Sequence, residues 1–201
     1  MTDRPAHAGD LLRQWRQRRR LSQLDLAIAA DVSSRHLSFV ETGRSRPTSD
    51  MILRLAEHLD VPLRDRNALL LAGGYAPAYP ERGLAEPELQ AVRTALQRVL
   101  KGHEPYPAVV VNRWWELVEA NAAIALFTRD VRPELLEPPV NALRLSLHPP
   151  AATDVVVPLR YDGLSFLSIT TVVGTPVDVT VSELAIEGFY PADAATAAAL
   201  A

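Results

Sequence analysis

The chain has 201 residues, 48% of them apolar, and a formal charge of -3, which suits a folded chain of one large domain or two small ones, two fitting better. It has no cysteine, which excludes disulfides and thiolate metal sites, and no apolar run reaches the roughly 18–20 residues that cross a bilayer. The N-terminal Met-Thr-Asp-Arg-Pro lacks an apolar signal core, so a cytoplasmic protein without membrane attachment is expected. Charge is uneven along the chain: residues 1–74 hold twelve Arg against nine acidic groups, and the remainder nine basic groups against fifteen acidic ones. Twenty of the 21 basic residues are Arg, which reads as codon bias more than as affinity for phosphate.

Periodicity predicts a first helix over Asp10–Arg20, with Leu11, Leu12 and Trp15 on one side. Ser22 and Asp25 have the spacing of a capping box for a short helix, Gln23–Ala30, that turns Leu26 and Ala27 inward. Asp31-Val32-Ser33 forms a tight turn, and Ser33 caps a helix running from Ser34 to about Thr42 that stops at Gly43. Thr48 caps a fourth helix carrying Ile52, Leu55, Ala56 and Leu59, and Pro62 opens a fifth that ends at Gly73-Gly74. Tyr75–Gly83 reads as a linker and Pro87–Lys101 as a connecting helix. The texture then turns to strands at Ala108–Val111 and Leu117–Ala120 around Asn112–Trp115. Asn121 is expected to cap a short helix to Phe127, and a Pro-rich stretch from Pro133 to Pro150 reads as irregular or briefly helical. Strands return at Val155–Tyr161, at Leu164–Val173 beyond an Asp162-Gly163 turn, and from Val177 onward; the Ala-rich tail Ala192–Ala201 is expected to fray. The fold class is thus an N-terminal five-helix domain (residues 1–75), a linker and connecting helix (76–103), and an α+β domain with an antiparallel sheet (104–201).

On a wheel of 100° per residue, Ser34, Arg35 and Ser38 share one face with Phe39 at its edge, while Leu37 and Val40 lie opposite. Leu37 and Val40 suit packing on Leu26, Ala27 and the first helix. The polar face suits the major groove of double-stranded DNA: Arg35 has the planar fork for guanine O6 and N7, and Ser34 and Ser38 can bond bases or phosphates. His36 lies to one side, as either a backbone contact or a plain surface residue. Phe39 fits a thymine-methyl contact and core-edge packing equally well. A purely protein-binding five-helix module, with its arginines merely solvated, is the competing reading.

Leu21-Ser22-Gln23, Leu26-Ala27, Val32-Ser33, Leu37-Ser38 and Glu41-Thr42-Gly43 resemble the phage-repressor-like helix-turn-helix family, also called the XRE family, across about a third of the chain. The resemblance implies that Gln23 meets a phosphate from the start of the second helix and that Arg44 and Arg46 grip the DNA backbone. Ser33 belongs to the same interface, and Arg16 and Glu41 form a partly buried ion pair. Asp31 stands where the family usually has Gly, and Asp tolerates the left-handed region. Such a module reads few bases, so a homodimer on two half-sites about one helical turn apart is expected.

A narrower likeness extends through Ala68–Pro77, Glu104–Val111, Ala120-Asn121-Ala122, Pro139-Val140-Asn141, Leu147-His148-Pro149, Gly174–Thr180 and Phe189–Asp193 to the MmyB-like regulators. It implies a PAS-like ligand-binding domain that takes fatty-acid-like or other apolar small molecules. Val110, Leu117, Phe127, Leu145, Phe166 and Ile169 are the residues expected to line its cavity, each also suited to plain core. Trp114 and Trp115 suit a pocket mouth, a partner surface or packing on the connecting helix. In relatives several dozen mostly helical residues follow the Leu-His-Pro landmark; here only Pro150–Asp154 precede the next strand. The pocket therefore has a shortened wall, or the second domain serves chiefly as a dimerisation platform.

Catalysis has little to stand on. The histidines at 7, 36, 58, 103 and 148 lack metal-ligand spacing, Gly73-Gly74 is not followed by Lys-Ser/Thr, and Glu116 and Glu119 read as a solvated edge. No enzyme, cofactor or metal is expected. The alternative to a ligand-tuned regulator is an antitoxin-like or adaptor protein whose C-terminal half binds a protein partner.

Overall fold

The computed structural model describes residues 7–147, 159–174 and 176–201. His148-Pro149 and most of the expected strand Val155–Tyr161 lie outside the described residues. The chain divides into two compact units, residues 1–81 with 177–179 and residues 82–176 with 180–201.

Five helices build the first unit: α1 (Ala8–Arg18), α2 (Gln23–Ala29), α3 (Ser34–Glu41), α4 (Ser49–His58) and α5 (Leu63–Ala72). Four begin on a side chain that accepts an amide of the first turn: His7 from Asp10, Ser22 from Asp25, Ser33 from His36 and Thr48 from Met51. At Ser22 the bond is reciprocal, because the Asp25 carboxylate accepts the Ser22 amide, completing the box that the spacing predicts. All five end alike. A residue with positive φ follows the last turn at Arg20, Asp31, Gly43, Asp60 and Gly74. The next amide then donates to the carbonyl five residues back: Leu21 to Arg16, Val32 to Ala27, Arg44 to Phe39, Val61 to Ala56 and Tyr75 to Leu70. This Schellman closure satisfies carbonyls that a helix end leaves bare. The first helix therefore stops before Arg20, which is its left-handed terminator and not its last helical residue.

These closures turn the helices onto one core in which Leu12, Leu26, Leu37, Ile52, Leu55 and Leu59 are fully buried. The expected linker is partly drawn into this unit. Asn67 accepts the amides of Ala78 and Tyr79 and donates to the Tyr79 carbonyl, and Arg64 pairs with Glu81 at 2.5 Å.

The remaining elements, in chain order, begin with a 3-10 turn at Pro87–Leu89, α6 (Gln90–Gly102), β1 (Ala108–Val111) and β2 (Leu117–Ala120). A 3-10 turn at Ala122–Ile124 then runs into α7 (Ala125–Thr128), followed by a turn at Pro133–Leu135 and α8 (Ala142–Leu147). The chain closes with β3 (Leu159–Tyr161), β4 (Leu164–Val172), α9 (Val179–Ser182), β5 (Ala185–Pro191) and α10 (Ala194–Leu200). The strands form one antiparallel sheet in the order β2-β1-β5-β4-β3. The Asp162-Gly163 turn joins β3 to β4 with both residues at positive φ, as a tight two-residue hairpin requires.

Register separates the two faces of the sheet. Phe166 pairs with Pro191, Ser168 with Phe189 and Thr170 with Glu187, and Glu187 in turn pairs with Val109, so these share one face. Ile169 pairs with Gly188 and Gly188 with Ala108, while Thr171 pairs with Ile186 and Ile186 with Val110; these point to the other. The second face carries α6: Leu96 and Leu100 pack with Ala108, Val110 and Leu184, and Arg93 donates to Glu119. A bulge between Val110 and Val111 brings Leu117 opposite Val111.

Three expectations need correction. The segment from Val177 is not a strand at its start: Val179–Ser182 is helical and the strand begins at Ala185, because the Val179 amide is taken by the Pro80 carbonyl and not by a strand ladder, with Asp178, Val179 and Val181 buried. Asn121 makes no cap bond. Its side chain accepts the Ala108 amide and donates to the Leu100 and Tyr106 carbonyls, tying α6 and the following loop to β1. The Ala-rich tail does not fray as expected, since Asp193 caps α10 at Thr196 and the buried Thr196 hydroxyl accepts the Ser165 amide.

Candidate functional site

The first candidate site is the solvent side of α3. Leu37, Val40 and Glu41 are buried, whereas Ser33, Ser34 and Arg35 are exposed and His36, Ser38 and Phe39 half-buried. The wheel placed these faces correctly because a helix this regular carries its angles from residue to residue. Two contacts set how α3 is presented. At Gly9 a Cβ would stand 2.0 Å from the Val40 carbonyl oxygen, so α1 and α3 meet backbone to backbone there and only glycine fits. Nothing local in the sequence marks this, as the need arises from the crossing of two helices.

The other contact is the Arg16–Glu41 pair. Arg16 Nε and Nη2 each donate to a Glu41 carboxylate oxygen at 2.7 Å, and Nη1 donates to the Leu21 carbonyl at 2.8 Å. Gln23 Nε2 donates to the same carboxylate at 2.8 Å. Burial alone raises the Glu41 pKa, but the bonds from Arg16 and Gln23 and the charges of Arg16 and Arg13 outweigh it and hold the group below the ordinary glutamate value. The Gln23 amide nitrogen is thus engaged internally.

Around this face the arginines sort into two kinds. Arg19 donates to the Leu59 and Asp60 carbonyls, Arg66 to Val61, and Arg46 to Gly73 through Nε and Nη2 at 3.1 and 2.7 Å. These cations finish the C-terminal ends of helices, which accounts for part of the basic excess without DNA. Arg46, expected to grip the DNA backbone, has that guanidinium spent on α5 and stacked over Tyr75. Arg35 and Arg44 instead flank Phe39, at 5.5 and 6.0 Å from its ring centroid, and both are exposed. The Phe39 carbonyl accepts the amides of Arg44 and Ser45, fixing the start of the loop beside α3. Arg13, absent from the expected interface, is exposed and close enough to Glu41 for its charge to act there.

The second candidate site is the sheet face opposite α6. Phe127 meets Tyr161, Phe166 and Phe189 edge to face, with centroids 5.0–5.3 Å apart. Of the residues expected to line a cavity, the structure brings Phe127 and Phe166 together and puts Leu117 on the same face. Val110 and Ile169 are on the other face, Val110 within the core under α6 and Ile169 exposed; Leu145 is half-buried on α8. All six therefore do not share one cavity. Apolar character is the same on either side of a sheet, and only register separates them. The two tryptophans part as well: Trp114 is exposed beneath Arg113, and Trp115 is half-buried at positive φ in the turn that Asn112 closes. Sequence reasoning missed Glu187, the carboxylate in the middle of the aromatic-bearing face.

A capped, glycine-seated helix exposing polar side chains and a separate sheet domain define a two-part molecule. Comparison with known proteins agrees. Residues 7–69 match the model of a helix-turn-helix domain, and residues 92–161 match the MmyB-like transcription regulator ligand binding domain. Over 112 residues the chain is 31% identical to the uncharacterised HTH-type transcriptional regulator RghRB of Bacillus subtilis (strain 168), covering 54% of this chain and 78% of that protein. The crystal structure of the clp gene regulator ClgR from Corynebacterium glutamicum matches 49% of this chain and 90% of its own at 26% identity, with a TM-score of 0.29. The chain belongs to the HTH-type transcriptional regulators and carries an MmyB-like ligand-binding domain; it is not an enzyme.

Proposed function

We propose that the protein reads a specific double-stranded DNA site as a homodimer, with the N-terminal part of α3 in the major groove, and that a small apolar ligand of the fatty-acid-like class bound by the second domain tunes this. The observation that carries the reading is the division of α3. One side is locked by Leu37, Val40 and the Arg16–Glu41–Gln23 network, and the other presents Ser34 and Arg35 to solvent with Ser38 half-buried beside them. Arg35 reads guanine, Phe39 meets an adjacent base edge, Ser33 and His36 approach the backbone, and Arg44 with Arg13 neutralises phosphates. Gln23 serves through its remaining oxygen and the α2 amides, and Arg46 acts mainly by positioning the loop before α4. A regulator of this kind works in the cytoplasm.

The test is a titration of the selected operator at several salt concentrations. Arg35→Ala costs roughly 1–3 kcal/mol on the specific site and flattens base preference there, whereas Arg44→Ala weakens all sequences alike and lowers the salt slope by about one. An Arg35→Ala protein indistinguishable from wild type on the specific site would sink the groove assignment. Light scattering of the complex, giving two chains per operator, checks the dimer.

A further inference from the structure

The face bearing Phe127, Phe166 and Phe189 is apolar at one end, yet at its centre stands Glu187. Its cross-strand neighbours are Val109 on β1 and Thr170 on β4. Ser168, on the same face, acts on the carboxylate and favours its charged form. Among the described strand residues none on this face is basic: β1 contributes Val109 and Val111, β2 Leu117 and Ala120, β3 Tyr161, β4 Leu164, Phe166, Ser168, Thr170 and Val172, and β5 Ala185, Glu187, Phe189 and Pro191. Glu187 is half-buried, while Ser168, Thr170 and Val172 are exposed, so the face is open beside the carboxylate. Burial pushes the Glu187 pKa up, and Ser168 opposes this only in part.

An apolar molecule laid over the aromatic end would strip the remaining water from Glu187. A buried carboxylate without a donor is costly, and a second carboxylate beside it is worse, because one of the two must then hold a proton. We propose that Glu187 is the polar anchor of the ligand site and selects an apolar molecule whose head donates hydrogen bonds, an amine before an alcohol and an alcohol before a carboxylate. This rests on the ligand-binding reading of the second domain and departs from a fatty-acid head within it. The aromatic cluster receives the body of the ligand, and Ser168 with Thr170 flanks its head.

The probes are decylamine, decanol and decanoate, used below micelle formation to displace Nile red from the full-length protein at pH 7.5. In the wild type decylamine binds about tenfold tighter than decanoate, the equivalent of one pKa unit of differential interaction. Glu187→Gln, which keeps the side chain's shape, brings the two within about threefold of each other, and Glu88→Gln, which removes an exposed charge elsewhere, leaves the preference intact. Ser168→Ala keeps the order of the three heads. Equal affinities in the wild type, or an unchanged preference in Glu187→Gln, overturn the anchor while leaving the ligand site standing. If neither Nile red nor any decyl compound binds, the ligand reading itself falls.

Discussion

Glu41 and Glu187 are both carboxylates taken from water, one in each unit, and their surroundings treat them oppositely. Glu41 is 2% exposed and meets a bidentate arginine and a glutamine amide; Glu187 has one serine hydroxyl acting on it and no basic side chain among the described strand residues of its face. The first charge is compensated within the chain, and it holds α1, α2 and α3 in a fixed relation. The second has no such compensation from the described strand residues of its face, and the proposed ligand anchor is built on that difference.

The largest expected effect tests the compensated side. Glu41→Ala strands the Arg16 guanidinium and costs about 3–5 kcal/mol in urea unfolding of the first unit, with loss of operator binding. A cost below that of an ordinary surface substitution would remove the contrast. Gly9→Ala follows: its Cβ forces α1 away from the Val40 carbonyl, costing about 1–3 kcal/mol and weakening DNA binding although residue 9 is buried in the α1–α3 crossing. In the second unit, Asn121→Ala leaves the Ala108 amide and two carbonyls without their side-chain partner, at about 1–3 kcal/mol in the same assay.

The smallest effect is the most discriminating. Ligand-free Glu187→Gln is as stable as the wild type or more so, by up to about 1 kcal/mol at neutral pH. The pH dependences have opposite sign. For Glu41 the folded pKa lies below the unfolded one. Its contribution is complete above the ordinary glutamate range, near pH 4.3, and is lost as pH falls through the lowered folded value. For Glu187 the folded pKa lies above the unfolded one, so the penalty is absent below that range and grows as pH rises through the raised folded value. Unfolding measured from pH 4 to 8 therefore shows Glu187→Gln gaining on the wild type as pH rises, and a gain on acidification contradicts it.

The helical unit was largely legible residue by residue. Ser22, Ser33 and Thr48 announce helix starts, Gly43 and Gly74 announce stops, and the period of Leu37 and Val40 orients the reading helix. All of these act over three to five residues. Arg20 as a terminator was not legible, since arginine does not mark a left-handed position, and Asp60 went unread although Asp tolerates that region; the apolar Leu21 and Val61 that follow each of them are the signal that was available. β1 and β2 were read to the residue, because turn residues bound their alternation, whereas the sides of Val110, Ile169 and Glu187 were not.

By itself the sequence determined the local devices: the caps, the closures, the strand-forming runs and the hairpin at Asp162-Gly163. Tertiary structure alone decided which arginines are spent on helix ends, where Gly9 lets two backbones touch, and that Glu187 shares a sheet face with Phe166 and Phe189. Those are meetings of residues far apart in the chain. A sheet's register or a helix crossing is settled by the sum of many weak contacts, and no short window of sequence holds that sum.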